Sequence, residues 1–112
     1  MLELNDRPIL SDFQKYVSKM EDERGFSDES TIQKCLLLGE EVGELFKAVR
    51  KSENIKIDRN SDIGTIENEL ADVLIYLLVI ANRYNIDLEK AFRDKEEINK
   101  NRNWGLKGIK QI

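Results

Sequence analysis

Residues 70–81 read Leu-Ala-Asp-Val-Leu-Ile-Tyr-Leu-Leu-Val-Ile-Ala, a stretch that is apolar at almost every position. A helix that is apolar around its whole circumference is usually buried by its neighbours on all sides. Asp72 is the one carboxylate within this stretch, and Glu69 precedes it by three residues, on the same side of a helix. Because a buried carboxylate without a partner is costly, the stretch predicts both a helical core and a partner for the charge.

The rest of the chain also favours helices, because only one proline and six glycines interrupt 112 residues. Residues 11–14 (SDFQ) and 30–33 (STIQ) have the form of capping boxes, which begin helices. Gly25 is placed to end the first helix and Asp87 to cap the last. The predicted helices cover about residues 11–24, 31–51, 65–84 and 87–102, with a polar loop over 52–64. The predicted fold class is therefore all-α, a four-helix bundle in a single domain over residues 1–112.

Composition excludes several classes of protein. The chain is 40% hydrophobic and 36% charged, as expected of a soluble domain, and its basic residues are not massed along one element as nucleic-acid binding requires. The longest apolar run is less than half a bilayer span, and the N-terminus carries no targeting signal. A lone cysteine, Cys35, excludes an internal disulfide and fits a cytoplasmic location. Since histidine is absent, any chemistry must use carboxylates, amines, hydroxyls or a hard metal ion.

The predicted second helix carries an acidic pair beside its apolar face. Glu41 and Glu44 are three residues apart, so both carboxylates can reach one cation. On this helix alone, a solvated acidic patch explains them equally well. Asp72 favours a divalent metal shared by two facing helices, although a salt bridge from Asp72 to Arg83 is an alternative. The predicted ligands are Glu41, Glu44, Glu69 and Asp72, and an all-oxygen set selects Mg²⁺ first and Mn²⁺ second.

The predicted fourth helix carries a row of hydrogen-bond donors. Lys95, Asn99 and Arg102 are spaced four and three residues apart and continue an apolar stripe. Alone, they could simply extend into solvent at the end of the bundle. Beside a cluster of carboxylates, they favour a polyphosphate ligand. Enzymes that act on phosphate groups usually bind the phosphate oxygens with metal ions and cationic side chains together.

These motifs, in this order, resemble a known family. Residues 40–45 (EEVGEL) and 69–74 (ELADVL) are similar to the paired Glu-x-x-Glu and Glu-x-x-Asp signature of the all-α MazG-like nucleotide pyrophosphohydrolases. Residues 95–104 (KEEINKNRNW) resemble the Lys/Asn/Arg stretch that closes the substrate site in that family. The resemblance extends from about residue 10 to residue 104, nearly the whole chain.

The resemblance implies Mg²⁺-dependent hydrolysis of an NTP or dNTP to the monophosphate and pyrophosphate, which would clean the nucleotide pool. The implied metal ligands are Glu41, Glu44, Glu69 and Asp72, and the implied substrate contacts are Lys95, Asn99 and Arg102. Glu40, which faces another direction, would either support the ligands from behind or orient the attacking water. A homodimer or homotetramer is also implied, and the apolar third helix favours it independently, because four short helices cannot cover that helix well.

Two other functions stay open at this stage. Phosphoribosyl-ATP pyrophosphohydrolases share the carboxylate scheme, but they typically carry a histidine after the motif that ends here in Asp72. A helical regulator that binds a nucleotide or a partner without turnover is the alternative outside enzymes. The preferred base is not specified either, because only Phe13, Tyr16 and Phe26 supply aromatic rings ahead of the second helix.

Overall fold

The computed structural model describes residues 2–103, and this part of the chain contains four helices and no strand. The helices are α1 (Leu10–Arg24), α2 (Thr31–Ser52), α3 (Ile66–Arg83) and α4 (Leu88–Lys100). The predicted all-α class and the polar loop between the second and third helices are confirmed, with boundaries shifted by one or two residues. Trp104, the last residue of the predicted donor motif, lies outside the described residues.

Three of the predicted helix ends are confirmed in detail. The Ser30 hydroxyl accepts a hydrogen bond from the Gln33 N–H at 3.1 Å, and the Gln33 side chain accepts one from the Ser30 N–H at 2.8 Å. Asp87 accepts from the N–H groups of the first turn of α4. Gly25 ends α1 with a φ of 75°, a left-handed conformation that glycine adopts at little cost.

The predicted start of α1 is wrong. The helix begins at Leu10 rather than after Ser11, because the Asp12 carboxylate accepts a hydrogen bond from the Ile9 N–H at 2.9 Å. Gln14 therefore does not act as a capping residue. Its side chain bonds Asn82 and the backbone of the α3–α4 link instead, which a local sequence pattern cannot reveal.

The core lies where α1 crosses α3. Val17 and Met20 of α1 pack on Leu78 and Val79 of α3, and all four side chains are buried. α2 packs along α3, whereas α4 contacts mainly α1. This arrangement sets the acidic segments of α2 and α3 side by side and leaves α4 apart from them.

α3 is not covered on all sides within one chain, as expected if four short helices cannot cover so apolar a helix. Leu70, Leu74 and Leu77 are 53%, 42% and 44% exposed, so one apolar face of the helix remains open. Phe92 and Ile98 of α4 are also largely exposed. Within residues 2–103, no helix is long and apolar enough to cross a bilayer.

Candidate functional site

Three of the predicted ligand residues meet between α2 and α3. Glu41 projects from α2, and Glu69 and Asp72 project from α3, so that one carboxylate oxygen of each lies within 4.8 Å of the others. The i, i+3 spacing aims Glu69 and Asp72 in the same direction, and the packing of α2 along α3 brings Glu41 opposite them. Three carboxylates at this separation suit a hard divalent cation such as Mg²⁺.

The loop before α3 holds Glu69 in place. Thr65 caps the helix by accepting a hydrogen bond from the Asn68 N–H at 3.1 Å, and the Glu69 side chain is 8% exposed. Its carboxylate lies so close to Gly64 that a Cβ at that residue would fall well inside 3.0 Å of it. A side chain at position 64 would therefore displace the Glu69 carboxylate from its present position, although the φ angle there is ordinary.

The electrostatics of the cluster favour a cation. Burial raises the pKa of Glu41 above its usual value, and the nearby charges of Asp72, Glu69 and Glu44 raise it further, as does a side-chain hydrogen bond with Glu69. The three carboxylates therefore resist being ionised together without a counter-ion. A bound divalent ion would relieve this repulsion and would compete with the proton on Glu41.

The other two acidic residues predicted for the site lie at its edge. Glu44 is outside the group of three, and its carboxylate lies 3.6 Å from the Lys47 ammonium on the same helix. Its charge nevertheless contributes to the raised pKa of Glu41. Glu40 precedes Glu41 in α2 and is exposed. Their roles as metal ligand and as orienting residue for water remain predictions.

Arg83 does not serve as the partner of Asp72. Its guanidinium lies 2.7 Å from the Glu21 carboxylate of α1, which is 4% exposed. Arg83 thus forms a salt bridge with Glu21, between α3 and α1, and not the salt bridge with Asp72 that the sequence left as an alternative. This leaves the acidic cluster, rather than the fold, as the explanation for Asp72.

A cavity of about 170 Å³ opens beside the carboxylates. Glu41 and Asp72 form one side of it, and the rings of Phe26 and Tyr76 line it as well, together with Lys34. Sequence reasoning named Phe26 but overlooked Tyr76 and Lys34 as part of the site. Tyr76 was detectable, because it follows Asp72 by one helical turn on the same face.

Tyr76 shares the electrostatic environment of the cluster. Burial raises the pKa of its hydroxyl, and the charges of Glu41 and Asp72 add to this effect while Lys34 opposes it. Tyr76 therefore stays a neutral hydrogen-bonding group beside the carboxylates at ordinary pH.

The donors of α4 are not brought to the carboxylates within one chain. Lys95 and Asn99 line a different, mostly apolar cavity of about 550 Å³ between α3 and α4, where Leu74 and Leu77 form part of the wall. None of the residues around this cavity lines the one beside Asp72. Arg102 lies beyond the end of α4 and is exposed. The carboxylates and the donor row thus lie on different sides of α3.

Comparison with known proteins agrees with this arrangement. Residues 26–103 match the family model of the MazG nucleotide pyrophosphohydrolase domain. Two structures of iMazG from Vibrio DAT 722 are 31% and 32% identical, with TM-scores of 0.65 and 0.64; they cover 83% and 85% of this chain and 99% and 100% of their own. Bacillus subtilis YPJD is 25% identical with a TM-score of 0.74, covering 88% of this chain and 100% of its own. A search of curated proteins gives no significant match.

Proposed function

The chain belongs to the MazG nucleotide pyrophosphohydrolase domain family, and we propose that it hydrolyses an NTP or dNTP to the monophosphate and pyrophosphate. The observation that carries the proposal is the meeting of Glu41, Glu69 and Asp72 within 4.8 Å between two helices. Such a reaction removes unwanted nucleotides from the pool, and the exposed thiol of Cys35 is compatible with a reducing cytoplasm. We assign it to a single domain over residues 1–112.

Glu41, Glu69 and Asp72 would hold Mg²⁺, or Mn²⁺ in its place, and Glu44 would join them once its ion pair with Lys47 opens. When bound, the ion supplies positive charge to phosphate oxygens as charge builds up on them during hydrolysis. Glu40, exposed next to a ligand, would orient the attacking water from the solvent side.

The cavity beside the carboxylates fits part of a nucleotide. Sites for small ligands usually enclose roughly 300–1,000 Å³, so a space of about 170 Å³ holds only part of a nucleotide, and we place the nucleoside part there. The rings of Phe26 and Tyr76 offer flat apolar surfaces to it, while Asp72 and Glu41 lie toward the phosphates. The triphosphate would then leave the cavity over the carboxylates.

In one chain, α4 lies apart from the carboxylates. We therefore propose that a second copy of the chain supplies the phosphate contacts of Lys95, Asn99 and Arg102. The exposed surface favours assembly. One chain exposes 9194 Å², whereas a folded monomer of 13.0 kDa exposes about 6,300 Å². The exposed side chains of Leu70, Leu74 and Leu77 on α3 belong to this surface, and an assembly would cover them. A homodimer or homotetramer is therefore proposed as the active form.

A product assay tests the proposed function. The purified protein is incubated with Mg²⁺ and a panel of NTPs and dNTPs, and pyrophosphate and orthophosphate are measured separately. We expect pyrophosphate and nucleoside monophosphate in equal amounts, and no turnover in EDTA. Orthophosphate as the first product, or full activity without a divalent ion, would refute the reaction. Nucleotide binding without any product would favour a non-catalytic regulator instead.

A further inference from the structure

An ion cluster ties α1, α2 and α3 together; its members are not candidate metal ligands, but Glu21 and Lys34 line the same cavity as Glu41 and Asp72. Glu21 of α1 is 4% exposed and Lys34 of α2 is 3% exposed. The Glu21 carboxylate accepts a hydrogen bond from Arg83 of α3 at 2.7 Å and lies 3.4 Å from the Lys34 ammonium. Buried ion pairs of this kind contribute little net stability on average, so their position deserves a functional explanation.

Arg83 also holds the connection between α1 and α2, which we define as residues 25–30. Its guanidinium donates to the backbone carbonyl of Phe26 at 3.3 Å and to that of Glu29. One planar group thus bonds Glu21 and two carbonyls of the connection at once, which the fork of donors on arginine allows.

Lys34 holds the same connection from the side of α2. Its ammonium lies 2.7 Å from the Glu29 carboxylate and 5.0 Å from the centre of the Phe26 ring. The Phe26 N–H donates to the Glu21 carbonyl at 2.8 Å, and the Glu29 N–H donates to the Phe26 carbonyl at 3.1 Å. The buried Lys34, the partly buried Arg83 and one backbone turn therefore fix where the ring of Phe26 stands.

The position of Phe26 matters because its ring lines the cavity that also borders Glu41 and Asp72. The ring is 41% exposed, so packing alone does not fix it firmly. We infer that Arg83 is a positioning residue for substrate: by bonding the carbonyls of Phe26 and Glu29, it holds the wall of the cavity in the shape that accepts the nucleoside part of the substrate. The identity of the ligand in this inference rests on the proposed function. The contacts by which Arg83 holds the connection do not depend on that function.

The variant Arg83→Lys separates this role from a purely structural one. Lysine can keep the ion pair with Glu21, but its compact ammonium lacks the planar fork by which arginine reaches Glu21 and both carbonyls at once. We expect an unfolding free energy close to that of wild type, faster amide hydrogen exchange at Phe26 and Glu29, and a KM raised roughly tenfold with kcat little changed, as the loss of a charge-assisted hydrogen bond would give. The matched control is Arg93→Lys, since Arg93 pairs with Glu89 at 2.9 Å on the exposed face of α4.

Each outcome decides the inference. Amide exchange at Phe26 and Glu29 equal to wild type overturns it, whatever the activity. Faster exchange with an unchanged KM overturns the role in substrate binding, as does a KM change that Arg93→Lys reproduces. If wild type turns over no nucleotide, the proposed function fails and the substrate role fails with it, whereas the exchange rates still show whether Arg83 holds the connection.

Discussion

At the scale of single residues, the site depends on carboxylates that repel one another. Glu41 is partly buried and faces Asp72 and Glu69, so its ionised form is disfavoured and its pKa is raised. A structural ion pair would have the opposite effect on a carboxylate, because a cation nearby favours the charged form. The mutual repulsion of these carboxylates is therefore typical of a cation-binding site and not of a group that stabilises the fold.

This repulsion predicts a dependence on pH. Because the folded protein holds a proton on Glu41 more tightly than the unfolded chain does, its metal-free stability should fall as pH rises from about 4.5 through the raised pKa. Glu41→Gln removes that titration. The stability gained by the variant over wild type should therefore be small at low pH, grow as pH rises and then level off.

Urea unfolding in EDTA across pH 4 to 8 measures the difference directly. Glu23→Gln, at an exposed position of α1, is the matched control. A difference between Glu41→Gln and wild type that stays constant with pH, or that shrinks as pH rises, would contradict the interpretation of Glu41.

At the scale of elements, much of the structure was predictable from local signals. The capping groups of Ser30 and Asp87 and the stop at Gly25 give three helix ends directly, because each acts within one turn of the chain. The i, i+3 spacing likewise gives the common direction of Glu69 and Asp72.

Features that depend on tertiary contacts were not predictable. Gln14 has the form of a capping residue but bonds Asn82, 68 residues away. Arg83 finds its partner on α1 rather than at Asp72, and the cavity places Lys34 beside the carboxylates. In each case the deciding contact lies between helices, where residue spacing along the chain gives no information.

The junction between the 53–65 loop and α3 carries a prediction of its own. Gly64→Ala would place a methyl group against the Glu69 carboxylate and push it out of the cluster, because the space there is already filled. Mg²⁺ affinity should fall about tenfold or more, with helix content unchanged. Titration calorimetry with MgCl₂ measures the affinity.

Gly39→Ala is the control for this substitution, since a Cβ at position 39 of α2 meets nothing within 4 Å. It should keep the Mg²⁺ affinity of wild type, and alanine in a helix should raise stability by up to about 1 kcal/mol. Wild-type affinity in Gly64→Ala would show that Glu69 is not held in place by this contact.

At the scale of the whole molecule, one chain is more extended than a domain of its size should be. Its radius of gyration is 17.9 Å, against about 13 Å for a compact domain of 112 residues. The open apolar face of α3 is part of the exposed surface, and α4 packs mainly on α1. An assembly of copies would cover this face, and it would also supply the donors that one chain keeps away from its own carboxylates.

A charge placed on the open face tests this assembly. Leu77→Glu should shift the protein toward monomer, because an ionised carboxylate buried in an apolar interface is costly. Residue 77 is 44% exposed in a single chain, so the fold of the monomer should survive. Light scattering after size-exclusion chromatography gives the mass, with Lys19→Glu on exposed α1 as the control. A variant that keeps the mass of wild type, or a wild-type protein that is already monomeric, would rule out this face as the interface.

The central claim is that the cluster exists to bind a metal, and Asp72→Asn tests it most directly in thermal melts with and without Mg²⁺. Asparagine keeps the shape of the side chain but removes one repelling charge, so the metal-free variant should be as stable as wild type or more stable by about 1–2 kcal/mol. The rise in Tm on adding Mg²⁺ should shrink at the same time, because a ligand charge is lost. A sharp fall in the metal-free Tm together with an undiminished Mg²⁺ shift would contradict the account, since Asp72 would then serve the fold and not the metal.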